Sequence, residues 1–257
     1  MINPSHPTQG HPVKQDAIPR ASAEEPVLGV LGGMGPLASA QFMLRLTQLT
    51  PANRDQEHIP AVLWSDPRVP DRTFGHLEGG ADPLPWLLRG INGLRRAGCR
   101  AIAVPCNTAH GWYEPMMQAA GMPILHIVDA AASDLHRLGL RPPGTIGVMG
   151  TQATLDMRLY QQRLAERGWT CIQPDVKQMQ RLVSPAIAMV KANHVAAAYS
   201  PLVEVVNSLA IRGACAVVLG CTEIPLGILA GPASGLRVPV VDTIDALARA
   251  AIRWAGR

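Results

Sequence analysis

The sequence predicts an α/β protein made of two pseudo-symmetric lobes, each a parallel β-sheet flanked by helices. Short apolar runs alternate with helix-length segments, the pattern of strands joined by crossover helices. VLGVLGG (27–33) is matched in pattern by TIGVMGT (145–151), and RAGCRAIAVPCNT (96–108) by RGACAVVLGCTE (212–223). Gly29 and Gly147 lie 118 residues apart, and Cys106 and Cys221 lie 115 apart. Two independent motifs therefore share nearly one period, as an internal duplication requires.

In chain order, VLGVLGG is a strand ending in glycines, followed by a helix to about Thr47 with Pro36 in its first turn. AVLWSD (61–66) reads as a strand, 83–97 as a helix closed by Gly98, and RAIAVPC (100–106) as a buried strand running into a polar loop. Residues 112–121 are predicted helical and PILHIVD (123–129) strand-like. In the second half a strand at 145–151 is followed by an amphipathic helix over 152–168 and an Ala-rich helical stretch over about 182–210. VPVVDTIDALARAAIRWAG supplies the last strand and helix. The expected organisation is a disordered tail over 1–25, a first lobe of 26–127 plus 237–257, and a second lobe of 128–236.

The composition is that of a folded globular chain: 47% hydrophobic and 16% charged. The net charge of +4 comes from scattered arginines, and aromatics make up 4%, so a nucleic-acid surface has no support. No apolar run approaches the roughly 18–20 residues of a membrane span, and the first 25 residues have no apolar leader core, so a cytoplasmic location is expected. The five cysteines, at 99, 106, 171, 215 and 221, form an odd set without a CxxC pair, which reads as reduced thiols.

A free cysteine is by default a small core residue. The duplication lifts Cys106 and Cys221 above that reading, because each lies where an apolar strand gives way to polar residues, the end at which parallel sheets bind ligands. Cys99 and Cys215 belong to the opposite ends of their strands, and Cys171 has no polar companion. Two thiols facing a shared cleft suit removal of a proton from an amino-acid α-carbon and its return on the other face, one acting as thiolate and one as thiol.

The same residues fit rival chemistries less well. A cysteine phosphatase needs an arginine at the end of the loop after the thiol, which neither NTAHGW nor TEIPLG provides. Cys106 with His110 is half of a tetrahedral metal set without a second pair, so no metal is expected. GMGPLA (33–38) meets the weak dinucleotide pattern, but Asp66 lies over 30 residues downstream where an acid about 20 on is expected. The same helix N-terminus serves equally as a site for a carboxylate.

GGMGPLAS (32–39), TPANRDQEHIP (50–60), DPRVPDRT (66–73), PCNTAH (105–110) and GCTEIPL (220–226) occur in one order, and on them the chain resembles the aspartate racemase branch of the cofactor-independent aspartate/glutamate racemases. The resemblance covers nearly everything after Pro26. It implies interconversion of L- and D-aspartate without a cofactor, a homodimer, and Cys106 and Cys221 as the catalytic pair. It also implies Arg72 of PDRT and Lys191 of VKA as the groups that hold substrate carboxylates. Met34, Asn107, Thr108, Thr151, Thr154 and Thr222 are then expected around the amino and α-carboxylate groups, with Glu223 binding the ammonium or influencing the thiol. Asp55 and Glu57 are expected to order a lobe-edge loop or a dimer contact. The alternatives are glutamate or another acidic amino acid as substrate, a nucleotide-dependent enzyme using GMGPLA, and a non-catalytic binder of acidic metabolites.

Overall fold

A computed structural model of the chain describes residues 26–257; the tail expected over 1–25 lies outside the described residues. The first sheet contains β1 (Leu28–Gly32), β2 (Ala61–Ser65), β3 (Ala101–Ala103) and β4 (Ile124–Leu125), all parallel, in the order β2-β1-β3-β4. The second contains β5 (Gly144–Gly150), β6 (Trp169–Ile172), β7 (Ala216–Gly220) and β8 (Val240–Asp242), again parallel, in the order β6-β5-β7-β8. The order is the same in both, so the duplication seen in two motifs extends to the topology. β1, β3 and β7 are buried along their whole length, as central strands covered on both faces must be.

Around the first sheet lie α1 (Pro36–Leu49), α2 (Arg72–Leu77), α3 (Leu84–Arg96) and α4 (Tyr113–Ala120), while α5 (Ile127–Arg137) lies against β8 of the second sheet. Around the second lie α6 (Gln152–Asp156), α7 (Leu159–Ala165), α8 (Val176–Gln178), α9 (Ser184–Lys191), α10 (Tyr199–Ile211) and α11 (Glu223–Leu229), and α12 (Thr243–Trp254) ends the chain. None is long and apolar enough to cross a membrane.

Several expectations are corrected. The strand expected over 123–129 is only Ile124–Leu125, because the His126 ring accepts a hydrogen bond from the Val128 amide and starts α5. The helix expected over 152–168 breaks into α6 and α7 at Arg158, which adopts a left-handed φ of 54°. The stretch over 182–210 is likewise divided, with a π-helical turn at Met179–Val183 before α9 and a 3-10 turn at Val195–Ala198 before α10. The segment 237–257, expected with the first lobe, is split between the two: β8 pairs with β7 in the second sheet, and α12 then packs against α1 and α5. An ion pair from Arg45 on α1 to Asp245 reinforces that return, and Arg249 of α12 pairs with Asp134 on α5.

Asp242 caps α12, accepting from the amides of Ile244 and Asp245. Burial, and then the adjacent Asp245 charge, raises its carboxyl from 3.8 to about 6. The folded chain therefore binds this proton more tightly than the unfolded one. The associated stability is present below pH 4 and is lost as pH rises to about 6. Asp242→Asn keeps the cap and removes the charge, so it should flatten that stretch of the stability–pH profile and stabilise the protein by about 1–2 kcal/mol at pH 7.5, measured by urea unfolding.

Candidate active site

Cys106 and Cys221 follow the carboxyl ends of β3 and β7, and both are 4% exposed. The two strand ends are bonded to each other. The Thr222 hydroxyl lies 3.3 Å from the Pro105 carbonyl, to which it donates. The hydroxyls of Thr108, Thr151 and Thr154 form a triangle with sides of 2.9–3.0 Å that joins the first lobe to the second. The Asn107 amide accepts from the Tyr160 hydroxyl at 2.5 Å and donates to Thr243 at 3.2 Å.

Local sequence explains these placements. Thr151 is the N-cap of α6 and accepts from the Thr154 amide, which brings the two threonines together one turn apart. Glu223 is the first residue of α11, so its carboxylate turns back over Cys221. The Cys221 thiol donates to the Glu223 carboxylate at 3.0 Å. Burial, and then the Glu223 charge, hold that thiol well above the ordinary cysteine range, so Cys221 is protonated at rest.

His110 does not meet the Cys106 thiol. Its Nδ1 donates to the Cys106 carbonyl at 2.9 Å, and its Nε2 accepts from the Ile127 amide at 3.2 Å. Burial lowers its pKa to about 4, so the ring is neutral and supports the loop. Among the described residues no cluster of three or more His, Cys, Asp or Glu is arranged to hold a metal ion.

Both cysteines and every other predicted site residue except Thr154 line one small pocket. Thr154 lies behind the wall, fully buried, and holds Thr108 and Thr151 in place. The pocket has a volume of about 10 Å³, close to that of one water molecule. Asp71, Arg72, Lys191 and Glu223 separate it from an outer cleft of about 540 Å³ that Leu37, Val69 and Val190 also line. Arg72 is buried and donates from Nη1 to the carbonyls of Val69 and Pro70, while its Nε is left without a partner. Lys191 pairs across the cleft with Asp71 at 3.5 Å, and Asp71 in turn caps α2 through the amides of Thr73 and Phe74.

The glycine loop before α1 brings Met34 into the pocket wall and Gly33 and Gly35 to the outer cleft. Gly33 has a φ of +91°, and a Cβ there would come within 2.4 Å of the Asp66 backbone, so only glycine fits. Ser39 braces the loop, accepting from the Gly33 amide and donating to the Gly35 carbonyl. Asp66, the acid a dinucleotide reading requires, is committed to Arg68 and Arg89. Glu57 orders its loop by accepting from the Asn53 amide and pairing with Arg54.

Sequence reasoning did not single out Asp71, Thr73, Tyr160 or Thr243. Asp71 and Thr73 flank Arg72 in PDRT, so the signal for them was present. The other three cysteines lie away from the pocket: Cys99 is buried ahead of β3, Cys215 donates to the Thr145 carbonyl, and burial raises Cys171 to about 11.

Two parallel lobes meeting at a closed pocket, with one thiol from each and an arginine and a lysine at its mouth, define a two-lobed α/β protein organised around a thiol pair. The chain belongs to the Asp/Glu/hydantoin racemase family, whose model matches residues 31–251. It is similar to the aspartate racemase of Picrophilus torridus, with 32% identity, a TM-score of 0.78, and coverage of 90% of this chain and 94% of that one. It is 28% identical to the broad specificity amino-acid racemase RacX of Bacillus subtilis over 88% of this chain and 96% of that protein. It is also 28% identical to a glutamate racemase of Deinococcus radiodurans over 85% of this chain and 69% of that protein. The family is one of racemases, and these three relatives are named as amino-acid racemases.

Removing the negative charge beside Cys221 should lower its pKa. Glu223→Gln should therefore speed alkylation of Cys221 by iodoacetamide at pH 8 by about three- to tenfold, as mass spectrometry of the labelled peptides would show, with Cys171 as the internal reference.

Proposed function

We propose that the chain interconverts L- and D-aspartate without a cofactor, by a two-base mechanism in which Cys106 and Cys221 exchange protons with the substrate α-carbon. One observation carries this reading: two thiols at equivalent strand ends share a closed pocket with buried Arg72, whose Nε has no partner. An unsatisfied guanidinium N–H in that position is a waiting partner for a carboxylate. A dicarboxylic amino acid has a second carboxylate for Lys191 and an ammonium for Glu223.

The substrate enters from the outer cleft and competes with Asp71 for Lys191, since the inner pocket as it stands admits no more than a water molecule. For the enantiomer whose α-hydrogen faces Cys106, the Cys106 thiolate takes that proton. The Cys221 thiol, already protonated, then returns one on the other face. In the opposite direction Cys221 first gives its proton to the Glu223 oxygen 3.0 Å away and Cys106 takes one from solvent, so that Cys221 abstracts the α-proton and the Cys106 thiol returns one to the other face. Carboxylates held by Arg72 and Lys191 disperse the negative charge that develops at the α-carbon.

A wider substrate range is the second reading. It is favoured by the size and apolar wall of the outer cleft, which exceeds what the side chain of aspartate fills.

Incubation with L-aspartate in D2O should give α-deuterated D-aspartate without added pyridoxal phosphate. Absence of α-exchange with aspartate, glutamate and asparagine would end the acidic-substrate reading, and inversion of glutamate alone would move the substrate. Cys106→Ala and Cys221→Ala should each abolish inversion, and a wild-type rate in either would refute the two-base assignment. Arg72→Lys should lower kcat/KM for aspartate by roughly 10- to 100-fold, because one cation cannot replace a forked donor.

A further inference from the structure

Tyr160 takes no part in the chemistry above, yet it touches both cysteine loops. It is fully buried on α7 of the second lobe. Its hydroxyl donates to Asn107 Oδ1, the residue after Cys106, at 2.5 Å. Its ring lies against Gly220, the residue before Cys221, so closely that a Cβ there would come within 3.0 Å of the ring. From Asn107 the chain of hydrogen bonds continues through Nδ2 to the Thr243 hydroxyl at 3.2 Å, and from that hydroxyl to the Leu219 carbonyl on β7 at 2.9 Å. The sequence of donors is fixed: the Thr243 proton goes to Leu219, so Thr243 accepts from Asn107, whose oxygen then faces Tyr160.

The period that aligns Gly29 with Gly147 places Phe42 opposite Tyr160, also 118 residues apart. Phe42 is fully buried on α1 and has no hydroxyl. The two lobes thus share an aromatic residue at this position, and only the second lobe uses it to reach across.

We infer that Tyr160 is the positioning residue that sets the separation of the two thiols, its ring spacing the Cys221 loop and its hydroxyl holding the Cys106 loop through Asn107. A two-base inversion depends on that separation more than single-sided exchange does. If the second thiol is out of line, the carbanion persists until the first thiol has exchanged with solvent and returns a deuteron to the face it came from.

The inference rests on the two-thiol reading, and the test keeps the two apart. Tyr160→Phe retains the ring and removes the hydroxyl. In D2O, at early times, the wild type should place deuterium in the inverted product and little in the remaining substrate. In Tyr160→Phe inversion should fall by about 10- to 100-fold, with a clear rise in deuterated, uninverted substrate relative to product. An equal fall in both, or no change in either, would overturn the inference. Bridging of Cys106 to Cys221 by 1,3-dibromopropanone after brief denaturant-free incubation, read as the linked peptide, gives a second measure that needs no turnover. The bridged fraction should drop in Tyr160→Ala at unchanged far-UV circular dichroism, and an unchanged fraction would overturn the inference even if the wild type inverts no amino acid.

Discussion

The hydrogen bond from Thr222 to the Pro105 carbonyl ties the carboxyl end of one sheet to that of the other, and the site depends on that tie. Parallel strands leave polar backbone at their ends, and in most α/β proteins water or ligand satisfies it. Here each lobe satisfies the other, through the Thr222–Pro105 bond, the threonine triangle and the Asn107 amide. All of them but Thr151 are buried, so sliding one lobe past the other would strand several polar groups at a cost of about 1–3 kcal/mol each. The relative position of the thiols is therefore a consequence of polar satisfaction, with apolar packing supplying the bulk of each lobe.

The pocket mouth is built on a different principle. Arg72, Lys191, Asp71 and Glu223 place two cations against two anions around it, and the Asp71–Lys191 contact is a partly exposed ion pair worth little on its own. A buried polar seam thus lies beneath the thiols, and a weak ionic contact lies above them.

Much of this was legible in the sequence for physical reasons that can be named. The strand–Cys–polar ends were visible because fully buried parallel strands leave continuous apolar runs, and the repeat marked which two of five cysteines mattered. Arg72 was legible only through its motif, since an isolated arginine reads as a solvated charge until its burial is known. The start of α5 was hidden because a histidine served as its cap, a role more often taken by Ser, Thr, Asp or Asn. Tyr160 was hidden because a mid-helix aromatic has the pattern of core, and its hydroxyl partner lies 53 residues away. Thr154 was assigned to substrate on chemistry alone, and only the three-way threonine geometry shows that its hydroxyl is committed.

The two halves of the duplication differ at one telling position. Two residues after the first cysteine stands Thr108, and two after the second stands Glu223, so one thiol loop carries a hydroxyl and the other a carboxylate. Enantiomers of an amino acid have equal free energy in water, so a racemase must show the same kcat/KM in both directions whatever its own asymmetry. The unequal partners of these thiols can therefore not make the enzyme one-sided. They can only trade turnover against retention, so that the enantiomer processed more slowly is held more tightly by the same factor.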